Sequence, residues 1–119
     1  PFNHYDHIQN SVNCAIAIFK ELKRINKTTK YPIEISISIN TGEIFYSQLR
    51  SNYGKFFVII GDTIRNAYYF ESITKPYVMA ISEKAYNNLK RKIKMARIIH
   101  LKIRGKEEII KVYVSKFKL

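Results

Sequence analysis

Apolar residues recur at helical spacing near the start of the chain: Ile8, Val12, Ala15, Ile16, Phe19 and Leu22. This period predicts a helix over residues 8–26. Asp6, with Gln9 three positions on, resembles a capping box at its start. From residue 33 the period changes to two. Ile33, Ile35, Ile37 and Ile39 alternate with Glu34, Ser36, Ser38 and Asn40, which predicts a strand with one face on a core. Asn40-Thr41-Gly42 reads as a turn, and residues 43–49 as the hairpin partner of that strand. Residues 56–60, Phe-Phe-Val-Ile-Ile, form a continuous apolar run. Its length fits a buried central strand.

Gly61-Asp62-Thr63 opens a second helix, with Asp62 or Thr63 available as its N-cap. That helix must stop before Lys75-Pro76, because a residue preceding proline is pushed out of the helical region. A short strand is predicted over residues 77–81. Ser82 then caps a third helix running to about residue 89. Ile99, Leu101 and Ile103 alternate with His100, Lys102 and Arg104. Gly105-Lys106 turns the chain, and Ile110, Val112 and Val114 alternate back as a closing hairpin. The order predicts one α+β domain over residues 1–119, with a mostly antiparallel sheet covered by helices. It starts on a helix with no strand before it, so a sheet truncated at its N-terminal side is expected.

Composition narrows the classes. The chain is 46% hydrophobic, enough for a core. No apolar run reaches the length of a membrane span, and the first residues lack the pattern of a signal peptide. The single Cys14 lies in the apolar helical run and reads as a small buried hydrophobe. A cytoplasmic, reducing compartment fits. The net charge is 21 − 9 = +12. The densest basic run, residues 84–106, carries one aromatic, Tyr86. A single-strand binder needs aromatics interleaved with its cations, so the charge reads as solvated faces rather than a nucleic-acid site. No membrane contact is expected of this segment.

Three loops carry the chemistry. Asn40-Thr41-Gly42-Glu43, Ile60-Gly61-Asp62-Thr63-Ile64, and Phe70-Glu71-Ser72 with Lys75-Pro76 follow one another at a spacing that resembles class III adenylyl and guanylyl cyclase catalytic domains. Ile103-Arg104-Gly105-Lys106 followed by Val112-Tyr113-Val114 resembles that family's closing hairpin. The run ending at Gly61 is similar in particular to the first, metal-donating domain of soluble-type adenylyl cyclases. The resemblance covers the C-terminal two-thirds of such a domain and implies its ferredoxin-like fold. It also implies its reaction: closure of a nucleoside triphosphate's 3′ hydroxyl onto the α-phosphate, with loss of pyrophosphate, at a dimer interface. Two metal ions, Mg or Mn, sit on two Asp in that family and activate the hydroxyl. An Asn positions the ribose, and an Arg four residues later stabilises charge on the phosphate. A Lys on the closing hairpin holds the terminal phosphates.

Aligned on Gly61, the ribose position is Arg65 and the catalytic Arg position is Tyr69. The base-reading position is Val58, whose side chain neither donates nor accepts. The phosphate-holding cation is kept in kind as Arg104. Asn66 falls one residue late, about 100° around a helix from the family position. Ser38 replaces a strand glycine. The two aspartates, Asp6 and Asp62, both begin helices and read as caps, so the metal ligands are expected upstream of Pro1 and none in this segment. His4 and His7 beside Asp6 lack a third ligand. Glu107 and Glu108 read as exposed charge partners of neighbouring lysines. Arg65 and Arg104 together could hold a phosphate or another anion.

The resemblance therefore implies part of a nucleotidyl cyclase, a lyase of intracellular signalling. Its substrate is ATP in preference to GTP, its partner a second cyclase domain in a pseudo-heterodimer or homodimer, and the nucleotide lies between them. The segment alone is expected to be inactive. A pseudocyclase that regulates or dimerises is the alternative.

Overall fold

The computed structural model describes residues 6–94, 97–103, 105 and 107–116. Helix α1 (His7–Asn26) buries Val12, Ala15, Phe19 and Leu22 on one stripe, as the helical period requires. On its exposed side Arg24 hydrogen-bonds Glu21 and holds that carboxyl below the usual carboxylate range. Strands β1 (Ile37–Ile39), β2 (Phe45–Ser51) and β3 (Gly54–Ile60) follow, then α2 (Asp62–Ser72) and β4 (Val78–Ser82). The chain continues with α3 (Glu83–Asn87), β5 (Arg97–Lys102) and β6 (Ile109–Lys116).

Four strands form one sheet in the order β1-β4-β6-β5. β1 pairs with β4 in parallel, and the other two pairings are antiparallel. β4 is buried along its whole length. Its alternation divides the core in two. Met79 and Ile81 join Val12, Ala15, Phe19, Ala85 and Leu89, on the side of α1 and α3. Val78 and Ala80 join Phe70 of α2 with Val112 and Val114. The sheet is thus held between α1 and α3 on one face and α2 on the other. This is the α+β, mostly antiparallel architecture that the sequence predicts.

Several local expectations are corrected. The alternating segment is regular strand only at Ile37–Ile39, and its neighbour is β4, not residues 43–49. Those residues instead enter β2, which pairs with β3 as a separate two-stranded ribbon. The run at residues 56–60 is consequently not a buried central strand. Phe56, Phe57, Ile59 and Ile60 are all exposed, and β4 takes the central place. Register explains why the ribbon is apolar on both sides. Phe45, Leu49, Phe56, Val58 and Ile60 share one face, and Tyr46, Phe57 and Ile59 the other. Tyr46 and Phe57 stack at 5.6 Å between centroids.

The caps differ as well. Asp6 stands at the N-cap of α1 without a side-chain capping bond. Its carboxylate pairs with Lys90, and Gln9 bonds Asn13 and the Arg91 N–H instead. Gly61, not Asp62 or Thr63, is the N-cap of α2. Ser82 does cap α3, accepting from the Ala85 N–H, though the helix ends at Asn87. Cys14 is exposed, not buried. It precedes Ala15 by one residue, and 100° of rotation carries it off the buried stripe.

Candidate active-site face

The polar side of the β1 segment pins α2. Ser36 Oγ donates to Glu71 Oε1 at 2.8 Å, Ser38 Oγ to the Ala67 carbonyl at 2.7 Å, and Asn40 Nδ2 to the Thr63 carbonyl at 2.8 Å. The match is geometric. Two residues of strand advance about 6.6 Å, and four residues of helix about 6 Å, so every second strand residue meets every fourth helix residue. Ser38, a departure from the family's glycine, is one of these three pins.

The two motif loops are tied to each other at the same place. Asn40 Oδ1 accepts from the Thr41 N–H at 2.9 Å, and Thr63 Oγ1 donates to the Glu43 carbonyl at 2.7 Å. A Cβ on Gly42 would lie 2.5 Å from Thr63 Oγ1, so the turn requires glycine for closeness. Gly61 has φ 148°, where a side chain is strained. Asn40→Ala removes one donor and one acceptor from this knot. It is expected to destabilise the fold by about 1–3 kcal/mol, read from the shift in urea midpoint.

Pinning fixes which faces of α2 point where. Asn66 and Phe70 line a cavity of about 690 Å³ with Asn40, Glu83, Lys84 and Lys111, and the exposed Asp62 stands at its edge. Thr63, Ile64, Ala67 and Glu71 face β1, beside a second cavity of about 650 Å³ that His7 and Tyr68 also line. Arg65 and Tyr69, one turn apart, face outward. Arg65 is 74% exposed and pairs with Asp62. Tyr69 is 36% exposed. Val58 is half-buried on the ribbon, opposite Ser47.

Val58, Arg65 and Tyr69 line neither of these cavities. Arg65 and Tyr69 thus stand on an open face of α2, with Asn66 on the half-buried side that borders the 690 Å³ cavity. Arg104 and His4 lie outside the described residues. His7 is within 3.4 Å of Thr41 Oγ1. Glu107 and Glu108 are exposed, and Glu108 borders the 690 Å³ cavity. Lys84, Lys111 and Glu83, which the sequence reading did not single out, meet there too, with Lys111 3.8 Å from Glu83. No local signal marks them, because they come from α3 and β6, far apart in sequence.

On this face Arg65 offers a guanidinium already partnered by a carboxylate. Tyr69 offers a hydroxyl where the family pattern has a full positive charge. Among the described residues no group of three or more His, Cys, Asp or Glu could hold a metal ion. The described residues do not fit a two-metal site. No helix among them is long and apolar enough to cross a membrane.

A sheet backed by α1, with α2 locked to β1 through two motif loops, defines the catalytic-domain fold of nucleotidyl cyclases. Residues 1–116 match the family described as the adenylate and guanylate cyclase catalytic domain, and the chain belongs to it. Among solved structures, the guanylyl cyclase Cya2 superposes with a TM-score of 0.87 at 18% identity, covering 99% of this chain and 63% of that one. The catalytic core of a rhodopsin-guanylyl cyclase with converted specificity, in complex with ATPαS, matches at 0.74 and 26% identity, over 94% of this chain and 60% of that one. The guanylate cyclase domain of RhGC from Catenaria anguillulae, in complex with GTP, matches at 0.70 and 24%, over 95% and 62%. The chain therefore spans about three-fifths of the structures it resembles. No curated protein matches the sequence.

Proposed function

We propose that this chain is part of the cyclase domain that donates the metals, not the transition-state side chains, to a dimeric nucleotidyl cyclase. The observation that carries the reading is the outward face of α2. The family's ribose Asn and catalytic Arg positions hold Arg65 and Tyr69, and a helix pinned along its length cannot rotate Asn66 into their place. A second cyclase domain supplies the Asn and Arg, and the two-sided apolar ribbon β2–β3 meets it. Burying Phe45, Phe56 and Phe57 would remove large exposed aromatic area from water. The nucleotide lies between the domains, with Arg104 as its phosphate-holding cation. Mg or Mn is held by aspartates of the parent protein outside this segment. The preferred substrate is ATP over GTP. Val58 contributes only shape to base selection, so the choice rests on the partner.

The isolated chain is expected to form no cyclic nucleotide from Mn–ATP or Mn–GTP. The triple variant Val58→Asp, Arg65→Asn, Tyr69→Arg restores the family residues and is expected to remain inactive, because the described residues hold no metal-ligand cluster. Cyclic product from that variant, detected chromatographically, would refute the alignment. Two strand-borne aspartates in the parent protein upstream of Pro1 support the metal-donating role. Absence of either makes this a pseudocyclase that acts on a competent partner through the same ribbon.

A further inference from the structure

The end of the sheet away from the loops at residues 40–43 and 61–63 carries a cavity, bordered by Lys75-Pro76, that the cyclase reading does not use. On the α2 side of the sheet the register aligns Val78 and Ala80 of β4, Val112, Val114 and Lys116 of β6, and Arg97, Ile99 and Leu101 of β5. The interior members of this face are core residues. At its end, where the same pattern calls for apolar side chains, stand Arg97 beside Val114 and Lys116 beside Val78. The segment after α2 runs alongside, and Lys75, Arg97 and Lys116 are all exposed. Ile73, Lys75, Pro76 and Tyr77 complete a cavity of about 490 Å³ whose floor is Val78, Ile99 and Val114. That volume is in the range of small-molecule sites.

Two further observations point to a ligand. First, three cations, Lys75, Arg97 and Lys116, line this cavity, and among the described residues no carboxylate does. Among the described residues none of the three has a carboxylate partner; the ion pairs there are Glu21–Arg24, Asp62–Arg65, Asp6–Lys90 and Glu83–Lys111. Glu71, the acid nearest in sequence to Lys75, is turned to Ser36. Second, Tyr77 in the cavity wall has φ 65°, the one non-glycine residue with positive φ among the described residues. A bulky side chain in that region is strained, and such strain collects at ligand clamps.

We propose that this cavity binds a small amphipathic anion, with an apolar body on Val78, Ile99 and Val114 and a carboxylate or phosphate head among Lys75, Arg97 and Lys116. The site is separate from the cyclase face and stands whether or not the catalytic reading holds. Titrating the full chain with decanoate below its micellar concentration, by calorimetry, is expected to show saturable one-to-one binding that weakens as salt rises. Decanol, the neutral analogue, is expected to bind at least tenfold more weakly. Arg97→Gln with Lys116→Gln is expected to weaken decanoate at least tenfold. Lys102→Gln, which removes a charge from the opposite face of β5, should change it less than twofold. Equal affinity for decanoate and decanol would overturn the proposal. So would the absence of saturation in wild type, or binding only to vesicles of anionic lipid with none to monomeric decanoate.

Discussion

Phe70→Ala is expected to cost about 3–5 kcal/mol of folding stability, the range for emptying a buried aromatic site. Phe70 is fully buried and is the one residue of α2 in the core formed with Val78, Ala80, Val112 and Val114. No neighbouring α2 side chain can take its place: Asn66 is polar and Ile73 is exposed. Domains of this size have roughly 5–15 kcal/mol to lose. Equilibrium urea unfolding should show the midpoint falling by a fifth or more. The polar pins at Ser36, Ser38 and Asn40 hold the angle of α2, whereas Phe70 holds it to the sheet. A loss under 1.5 kcal/mol would mean that α2 is carried by its hydrogen bonds instead.

The ribbon gives the second large effect. Phe45 is 77% exposed and Phe56 51%, and they share one face of β2–β3 with Leu49, Val58 and Ile60. Phe45→Ser with Phe56→Ser should leave the stability of the chain within about 0.5 kcal/mol, as exposed substitutions do. The same pair is expected to weaken association with a second cyclase domain about 1000-fold, since interfacial aromatics each carry about 2 kcal/mol or more. Sedimentation velocity over a concentration series reads the association, and a thermal melt reads the stability. Destabilisation with unchanged association would place the ribbon against its own domain and remove it from the interface.

The sequence carried the elements and the family but not all the pairings. Helical spacing from Ile8 to Leu22 and alternation through Ile33–Ile39 and Ile110–Val114 report which side of each element is apolar. They do not report which strand lies beside which, so β1 was expected to pair with residues 43–49 and instead pairs with β4. The run Phe56–Ile60 was misplaced for a related reason. Continuous apolarity states that both faces of a strand lack polar cover, not that its own sheet covers them. The ties between Asn40 and Thr63 and between Ser38 and Ala67 span more than 20 residues each, and no local pattern announces them. The motif loops were legible because their order and spacing hold within one chain. Cys14 failed by a single residue of helical rotation.

On the proposed reading, Arg65 and Tyr69 stand where a cyclase keeps its transition-state groups but do not act as such. The direct test is cyclic nucleotide production by the parent protein with its partner domain, wild type against Arg65→Ala with Tyr69→Phe. Turnover is predicted to stay within about threefold, because neither group stabilises developing charge. Removing a group that does so costs about 100-fold or more, and a fall of that size would contradict the account.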